Sequence, residues 1–448
     1  MRRWHFLENL RALGNLSSRA GALLCVTLAL AGCGGATSFA PNSSRPGFGA
    51  GRFGATGEPQ PIGIRPGGGF QQGQAGQPGR DVAILLPLSG PREEVGQGML
   101  RAAKLALDSP DAPRLIAKDT GGTPDGAARA ASEAIGAGAG LILGPLTSAE
   151  TAAVAPVARE AGIAVLAFTN DPAQAQPGVW TLGITPIQQV RRLVDVAQGS
   201  GKSRFSALLP DNDFGRAMGR ALIATTEQRG LPTPHIVQYG SGMAAVNAGV
   251  RNVSGYASRR GVMDGEIKAA RAKLSAEGRR EAAEIAKRAV PPPNFDALLL
   301  ADSGDALAAI ASLMAYYDLD RGSVQVFGPA LWGNPASQSG QFPGALYAAP
   351  DPAARAEFVQ AYTAKYDAPP SPVADLAVDV AAIARLLGAG PGYSIGALTK
   401  PEGFAGVDGP LALLTDGEVR RGLAVFRIQR GGAQIAEPAP TSFSSPGF

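Results

Sequence analysis

The chain has 448 residues, of which 45% are hydrophobic and 17% charged, and this length accommodates about two or three domains. Its net charge of +4 is unevenly placed, because residues 1–80 carry +6 and residues 81–448 carry −2. A faintly acidic body argues against nucleic acid as the main partner, and two Cys and two His are too few for a zinc site or a thiol protease.

The first 32 residues have the pattern of an export signal. Arginines precede an apolar run at residues 20–30, which is too short to span a bilayer core of about 30 Å. The run ends in Leu30-Ala31-Gly32-Cys33, which resembles the lipobox of bacterial lipoproteins. This resemblance implies that residues 1–32 are removed and that Cys33 is acylated and anchored in a membrane. An ordinary signal peptide with a chance cysteine and a twin-arginine signal are the alternatives.

Residues 33–80 are predicted to form a tether after the lipidated cysteine. Residues 41–80 contain 12 Gly and 6 Pro and show no apolar period, so this stretch cannot bury enough surface to offset chain entropy. A spacer that holds a folded body away from a membrane fits this composition, and so does a disordered leader of no tuned length. Gly34, where an Asp would favour retention in the inner membrane, makes the outer membrane the expected location.

The body begins with alternating strands and helices. Short, continuous apolar runs predict parallel strands covered on both faces, and Ala-rich segments between them predict helices. The predicted strands are 82–86, 115–117, 141–143, 163–168 and 179–183, and the helices between the first four lie near 94–108, 123–136 and 148–161.

The pattern then restarts, which predicts a second lobe. Strands are expected at 205–209, 235–239, 295–300 and 324–327, and a hairpin around Asp416-Gly417 with a second arm at 422–428. The fold class is therefore α/β, with two doubly wound parallel-sheet lobes around a cleft. We expect lobe 1 to comprise residues 81–183 and 336–403, lobe 2 residues 184–335 and 404–430, and a C-terminal tail residues 431–448.

Residues 244–292 differ from the rest in their charge. They contain ten basic and five acidic side chains, and they are predicted to form a long, salt-bridged helix that faces solvent. A solvated face and a docking surface for a partner are the two interpretations.

Six segments of the body carry a family pattern, and in chain order they lie at 84–91, 141–148, 165–170, 210–215, 358–362 and 404–409. Together they resemble the type I periplasmic binding proteins of the leucine-binding family. The opening Leu85-Leu86-Pro87-Leu88-Ser89-Gly90-Pro91 and the ending at 403–410 resemble most closely the penicillin-binding protein activators, lipoproteins that stimulate peptidoglycan synthases. The resemblance implies a two-lobed, Venus-flytrap architecture for residues 81–430.

Candidate ligand contacts lie at predicted strand ends. Thr147 and Ser148 stand at a helix N-terminus, where free N–H groups and a hydroxyl suit a carboxylate. In amino-acid receptors of the family, positions matching Ser148, Ala167 and Thr169 hold the ligand's α-carboxylate and α-ammonium, and Ser89 follows the first strand. For Ser148 a plain N-cap is the alternative, and for Thr169 a turn.

Two departures weaken the amino-acid interpretation. Val95 stands where the branched-chain receptors carry an aromatic wall, and Ala330 follows Phe-Gly-Pro where they carry an acid. Without that acid a buried ammonium lacks its main charge partner, although Asp302 can substitute. Trp332 either covers the cleft or packs between the lobes, and we favour packing.

Catalysis has little support in the sequence. His235 is the one histidine after residue 5, it lies on a predicted strand, and no Gly-x-Ser-x-Gly elbow accompanies it. No phosphate loop is present, and no cofactor or metal is expected.

Two functions remain. The first is a lipid-anchored activator of a peptidoglycan synthase. The second is a receptor that passes a small molecule, such as an amino acid, to the permease of an ABC importer. We favour the first.

Overall fold

The computed structural model describes residues 80–441 and 443, except 320, 321, 323 and 338. The predicted signal peptide (1–32), Cys33 and nearly all of the tether lie outside the described residues. No helix within the described part is both long enough and apolar enough to cross a membrane.

Three sheets organise these residues. The strands are β1 (Asp81–Leu86), β2 (Leu115–Asp119), β3 (Ala139–Leu143), β4 (Ala164–Ala167), β5 (Val179–Thr181), β6 (Phe205–Pro210), β7 (His235–Tyr239), β8 (Ala297–Leu300), β9 (Gln325–Gly328), β10 (Leu346–Ala349), β11 (Phe404–Gly406), β12 (Gly409–Leu413), β13 (Val419–Arg421), β14 (Ala424–Gln429) and β15 (Gly432–Glu437). Their orders are β2-β1-β3-β4-β5, β15-β14-β10-β9-β8-β6-β7 and β11-β12-β13.

Helices cover both faces of the two large sheets. They are α1 (Glu93–Ala106), α2 (Pro124–Gly136), α3 (Ser148–Glu160), α4 (Pro186–Gly199), α5 (Asp213–Gln228), α6 (Met243–Val253), α7 (Tyr256–Ala272), α8 (Ala276–Ala286), α9 (Gly304–Tyr316), α10 (Ala356–Tyr366), α11 (Ala374–Gly388) and α12 (Ile395–Leu398). The first sheet packs α1 and α11 on one face and α2 and α3 on the other. The second packs α4 and α5 opposite α6 and α9. The predicted doubly wound α/β class is confirmed.

The lobe boundaries differ from those predicted. Strand β10 pairs with β9 and β14, so residues 346–349 belong to the second sheet and not to lobe 1. The small sheet β11–β13 buries its apolar side chains in the core of the first lobe, so residues 404–421 do not belong to lobe 2. Strand β15 pairs with β14, so the predicted tail begins inside a sheet.

Two further elements also differ. The turn around Asp416-Gly417 joins β12 to β13, not a strand beginning at Gly422, because Leu413 pairs with Val419. The predicted long helix at 244–292 is three helices, α6, α7 and α8. They are broken at Gly255, which has φ +60°, and at the turn before Ser275, which caps α8.

The chain crosses between the lobes three times: between β5 and α4, between β10 and α10, and between β13 and β14. A buried polar cluster lies where the crossovers meet. Arg421 donates to Asp379 of α11 at 3.1 Å and to the carbonyl of Leu182, next to the first crossover, at 3.3 Å. Arg355, just before α10, donates to Asp375 at 2.8 Å. Asp379 also accepts the backbone N–H of Val407 at 2.6 Å.

Three carboxylates and two guanidinium groups share this cluster, since Asp408 also contacts Asp375. Burial raises the pKa of Asp375 to about 7 and that of Asp379 to about 6, and it raises the pKa of Asp408 as well. Asp379 keeps its negative charge at neutral pH because Arg421 is buried against it. The excess proton is therefore held between Asp375 and Asp408.

Close packing of helices on strand ends requires glycine at several helix starts. In α5, a Cβ on Gly215 would lie 2.0 Å from the carbonyl oxygen of Pro210, at the end of β6. In α7, by contrast, a Cβ on Gly265 would meet nothing within 4 Å.

Gly215→Ala is expected to destabilise the protein by about 1–3 kcal/mol, because the added methyl overpacks the contact between α5 and β6. Gly265→Ala is the matched control and is expected to stabilise by roughly 0.5–1 kcal/mol, because alanine loses less backbone entropy in an exposed helix. Urea unfolding of both variants measures this. Equal effects of the two substitutions would contradict the proposed packing.

The buried carboxylates predict a stability that falls as pH rises. An unfolded Asp holds its proton only below about pH 4, whereas the folded protein holds the proton of Asp375 up to about pH 7. The stabilisation is therefore fully present below about pH 4 and is lost as pH rises through about 7. The expected slope of the unfolding free energy is about 1.4 kcal/mol per pH unit for each proton that only the folded state retains.

Asp375→Asn is expected to flatten this slope, since the amide does not titrate. Asp111→Asn, at an exposed site, is the control and should leave the slope unchanged. Denaturant unfolding between about pH 5 and pH 8 measures both. An unaltered slope in Asp375→Asn would exclude the cluster as its source.

Candidate functional site

The candidate contacts of lobe 1 lie together at one edge of the first sheet. The three strands concerned, β1, β3 and β4, run parallel, so their carboxyl ends meet at this edge. Ser89 follows β1, Thr147 and Ser148 follow β3, and Ala167 and Thr169 end or follow β4. We call this set the lobe 1 edge.

Ser148 is already bonded to a carboxylate of its own lobe. Its hydroxyl donates to Asp171 at 2.5 Å, and the backbone N–H of Ala173 donates to the other oxygen of that carboxylate at 3.0 Å. The hydrogen bond from Ser148 is the main reason why the pKa of Asp171 lies below its usual range. An ionised carboxylate of the protein therefore occupies the hydroxyl that was expected to bind the carboxylate of a ligand.

Thr147, and not Ser148, caps α3. Glu150 donates its N–H to the Thr147 hydroxyl at 3.3 Å, and its carboxylate accepts the N–H of Thr147 at 3.0 Å, which completes a capping box. Glu150 is fully buried and also accepts the hydroxyl of Thr120 at 2.6 Å. The N-cap role considered for Ser148 therefore belongs to its neighbour Thr147.

Ser89 also has a carboxylate partner. Its hydroxyl donates to Asp119, at the end of β2, at 2.6 Å, and the N–H groups of Leu88 and Gly121 each donate to the same carboxylate at 2.8 Å. Burial acts to raise the pKa of Asp119, but these hydrogen bonds outweigh it and leave the pKa below the usual range.

The groups expected to bind an ammonium are engaged as well. The carbonyl of Ala167 accepts the N–H of Leu182 at 2.8 Å, and the residue is fully buried. The hydroxyl of Thr169 accepts the N–H of Asp171 at 3.1 Å, which gives the turn considered from the sequence. Each candidate group of the lobe 1 edge therefore has at least one hydrogen-bond partner within the protein.

Asp302 lies at the corresponding edge of the second sheet, after β8. Its carboxylate accepts the hydroxyl of Tyr239 and the N–H of Ser303, and burial followed by this contact raises the pKa of Tyr239. Trp332 donates its indole N–H to the carbonyl of Asp302 at 2.9 Å and stacks on Phe342, so it packs within lobe 2.

Within the described residues, Asp302 is bonded only to groups of its own lobe, so the structure brings together five of the six candidates and leaves Asp302 in the other lobe. Ala330 donates its N–H to Gln189 at 2.8 Å and supplies no carboxylate.

The sequence interpretation missed the three carboxylates that occupy the lobe 1 edge. The Thr-x-x-Glu spacing of Thr147 and Glu150 was a readable signal for a capping box. Asp171 and Asp119 had no such signal, because their partners lie 23 and 30 residues away. Within the described residues no cluster of His, Cys, Asp or Glu has an arrangement that would hold a metal ion.

Comparisons with known proteins agree with this fold. A family model described as "Periplasmic binding protein" matches residues 81–433. An uncharacterized protein of Rickettsia prowazekii, RP748, is 26% identical over 175 residues, which is 39% of this chain and 47% of that protein.

Solved structures give the same result. The C-domain of LpoA from Haemophilus influenzae, described as a regulator of PBP1A, is 17% identical with a TM-score of 0.57 over 80% of this chain and 99% of that domain. This chain covers only 60% of full-length LpoA. A putative branched-chain amino acid ABC transporter protein from Rhodospirillum rubrum is 20% identical with a TM-score of 0.58, over 79% of this chain and 99% of that one. At such identities these likenesses establish the fold alone.

The capping box predicts different costs for two neighbouring substitutions. Thr147→Ala is expected to cost about 1–2 kcal/mol, because the start of α3 loses its cap. Ser148→Ala is expected to cost about 1 kcal/mol or less, because one partly exposed hydrogen bond is lost. Ser132→Ala, on the exposed face of α2, is the control and should change stability by less than about 0.5 kcal/mol. Urea unfolding ranks the three, and a larger loss for Ser148→Ala than for Thr147→Ala would contradict this assignment.

Proposed function

The chain belongs to the periplasmic binding protein family, and from that premise we propose that it is a non-enzymatic regulator that binds and activates a peptidoglycan synthase of the penicillin-binding protein class. We propose further that Cys33 carries its lipid anchor, and that the anchor places it on the periplasmic side of the outer membrane. The family is one of binding and regulatory proteins.

The observation that carries the proposal is the occupied lobe 1 edge. Ser148 is bonded to Asp171, so the carboxylate of an amino acid would have to displace a negative charge of the protein or lie beside it. Two carboxylates at about 4 Å repel each other by about 4 kcal/mol at a partly exposed site. A lobe 1 edge occupied in this way favours a function in which the outer surface, and not a bound solute, is recognised.

The other lobe supports the same conclusion. Ala330 leaves no acid after the Phe-Gly-Pro turn, and the carboxylate of Asp302 is held by Tyr239. A ligand ammonium would therefore compete with an existing hydrogen bond. The structural likeness to the LpoA C-domain is compatible with the proposal but does not carry it.

A receptor for an ABC importer is the second candidate. It is favoured by the hydroxyl of Thr169 at the lobe 1 edge and by the carboxylate of Asp302 across from it, and the Rhodospirillum rubrum structure has the same fold. In this case Asp171 would have to move aside when a ligand enters.

Thermal unfolding of the full chain separates the two candidates. A panel of amino acids, small amides and muropeptides is expected to leave the melting temperature unchanged. A receptor with ligand at about 100 times its Kd would gain roughly 2.7 kcal/mol, a shift of a few degrees. One amino acid that raises the melting temperature in wild type and not in Ser148→Ala with Thr169→Ala would establish the receptor.

Binding to the synthase is the positive arm of the test. The full chain should bind a purified bifunctional penicillin-binding protein from the same organism and raise its rate of glycan polymerisation or crosslinking. The Ser148→Ala, Thr169→Ala double variant is expected to stimulate as well as wild type, because the edge is not the contact. Absence of both binding and stimulation would refute the activator.

A further inference from the structure

Helices α7 and α8 form a hairpin that the doubly wound fold does not require. A single helix is enough to connect parallel strands such as β7 and β8, and α6 already packs against the second sheet. The two extra helices pack on each other through a small core of their own, which consists of Ile267, Ala270, Ala282 and Ile285. The hairpin is thus an addition to lobe 2 with its own surface.

The charges of this hairpin are sorted by side. On both helices, three basic residues without a partner directly follow a buried position: Lys268 follows Ile267, Arg271 follows Ala270, and Arg279 follows Gly278. Arg280, also without a partner among the described residues, lies two positions after Gly278 and away from the contact between the helices. In two antiparallel helices, positions one residue after the buried face lie on the same side of the pair. We call the side formed by Lys268, Arg271 and Arg279 the basic side.

The opposite side is acidic and internally neutralised. Four glutamates directly precede a buried position: Glu266, Glu277, Glu281 and Glu284. Three of them form ion pairs, with Arg288, Lys273 and Lys287. Asp264 is the one acid on the basic side, and Arg260 pairs with it at 3.1 Å. Within the described residues the three cations of the basic side have no ion-pair or hydrogen-bond partner.

The tip of the hairpin exposes an apolar residue at a cost in backbone energy. Leu274 is 88% exposed and has φ +50°, a left-handed conformation that bulky residues rarely adopt. Among the described residues, this side chain is not part of any hydrophobic cluster. A leucine beside unpaired cations is instead suited to a contact with another molecule.

We propose that the basic side of the hairpin, with Leu274 as an apolar anchor, docks onto an acidic surface of a partner protein. Charge complementarity supports an acidic occupant, because the three cations of the basic side have no partner among the described residues and an acidic surface would neutralise them. The partner is the peptidoglycan synthase, and this identification rests on the proposed function.

Two other occupants fit less well. A helix pair that lies in a membrane surface needs a broad apolar face, whereas the apolar faces of α7 and α8 are used against each other and the hairpin exposes only Val262 and Leu274 as large apolar residues. A second copy docked by two-fold symmetry would bring equal positive charges together.

The test compares two triple variants of the full chain against the purified synthase. Lys268→Glu, Arg271→Glu, Arg279→Glu reverses the basic side and is expected to weaken binding at least ten-fold and to reduce its salt dependence. Lys104→Glu, Arg129→Glu, Arg220→Glu makes the same change in net charge on exposed positions of other helices and is expected to bind within about two-fold of wild type. Circular dichroism and thermal unfolding check that both variants fold.

Leu274→Gly provides a second, independent variant. Glycine accepts the left-handed conformation, so folding stability is expected to stay equal or to rise, while binding to the synthase weakens several-fold because the anchor is lost. Opposite changes of stability and affinity distinguish a contact residue from a structural one.

The possible failures differ from one another. If wild type binds the synthase and the basic-side variant binds equally well, the docking site is wrong and the activator remains. If wild type neither binds nor stimulates the synthase, both the proposed function and the docking inference are wrong. Hairpin-dependent binding to phosphatidylglycerol vesicles without synthase binding would replace the protein partner by lipid, and hairpin-dependent self-association would replace it by a second copy.

Discussion

The buried ion pair of Asp379 and Arg421 holds together the part of lobe 1 from which the chain crosses into lobe 2. Their side chains are 1% and 0% exposed, so neither charge has water as an alternative partner. The same guanidinium reaches the carbonyl of Leu182, next to the first crossover, and lies just before the third, while Arg355 ties the start of α10 to the same helix α11. Removing one partner would leave an uncompensated buried charge, which typically costs about 3–5 kcal/mol.

This ion pair fixes the lobe 1 side of the crossovers, but it does not by itself create a ligand site between the lobes. In lobe 1 the hydroxyls of Ser89, Thr147 and Ser148 each donate to a carboxylate of their own lobe. In lobe 2 the carboxylate of Asp302 is held by Tyr239. The fold is that of a periplasmic binding protein, and the hydroxyls at its lobe 1 edge are bonded to carboxylates of the same lobe. Recognition through an outer surface follows more naturally from this arrangement than capture of a solute.

The strands and helices could be predicted from the sequence because each of them is indicated by the apolar pattern of its own residues. Runs such as Val82 to Leu86 are buried on both faces, and an unbroken run of apolar residues in the sequence predicts this burial. The crossover assignments depended instead on long-range pairing: β10 has the same apolar character as a strand of lobe 1, and only its pairing with β9 and β14 assigns it to lobe 2. The sequence missed the carboxylates at the lobe 1 edge for a similar reason, because the tertiary fold decides which residues pair with Ser148 and Ser89.

The hairpin of α7 and α8 gives a second example of what the sequence alone could not show. The excess of basic residues at 244–292 is visible by counting, but a count does not distinguish a uniformly solvated face from a sorted one. The distinction requires the positions of the buried residues on α7 and α8, because these define which charges share a side. Once Ile267, Ala270 and Gly278 are known to face inward, the cations that follow them fall on one side and the glutamates that precede such positions fall on the other. A surface sorted in this way, next to an exposed leucine in a strained conformation, is more economically explained by a partner than by solubility, which needs charge but no order in its placement.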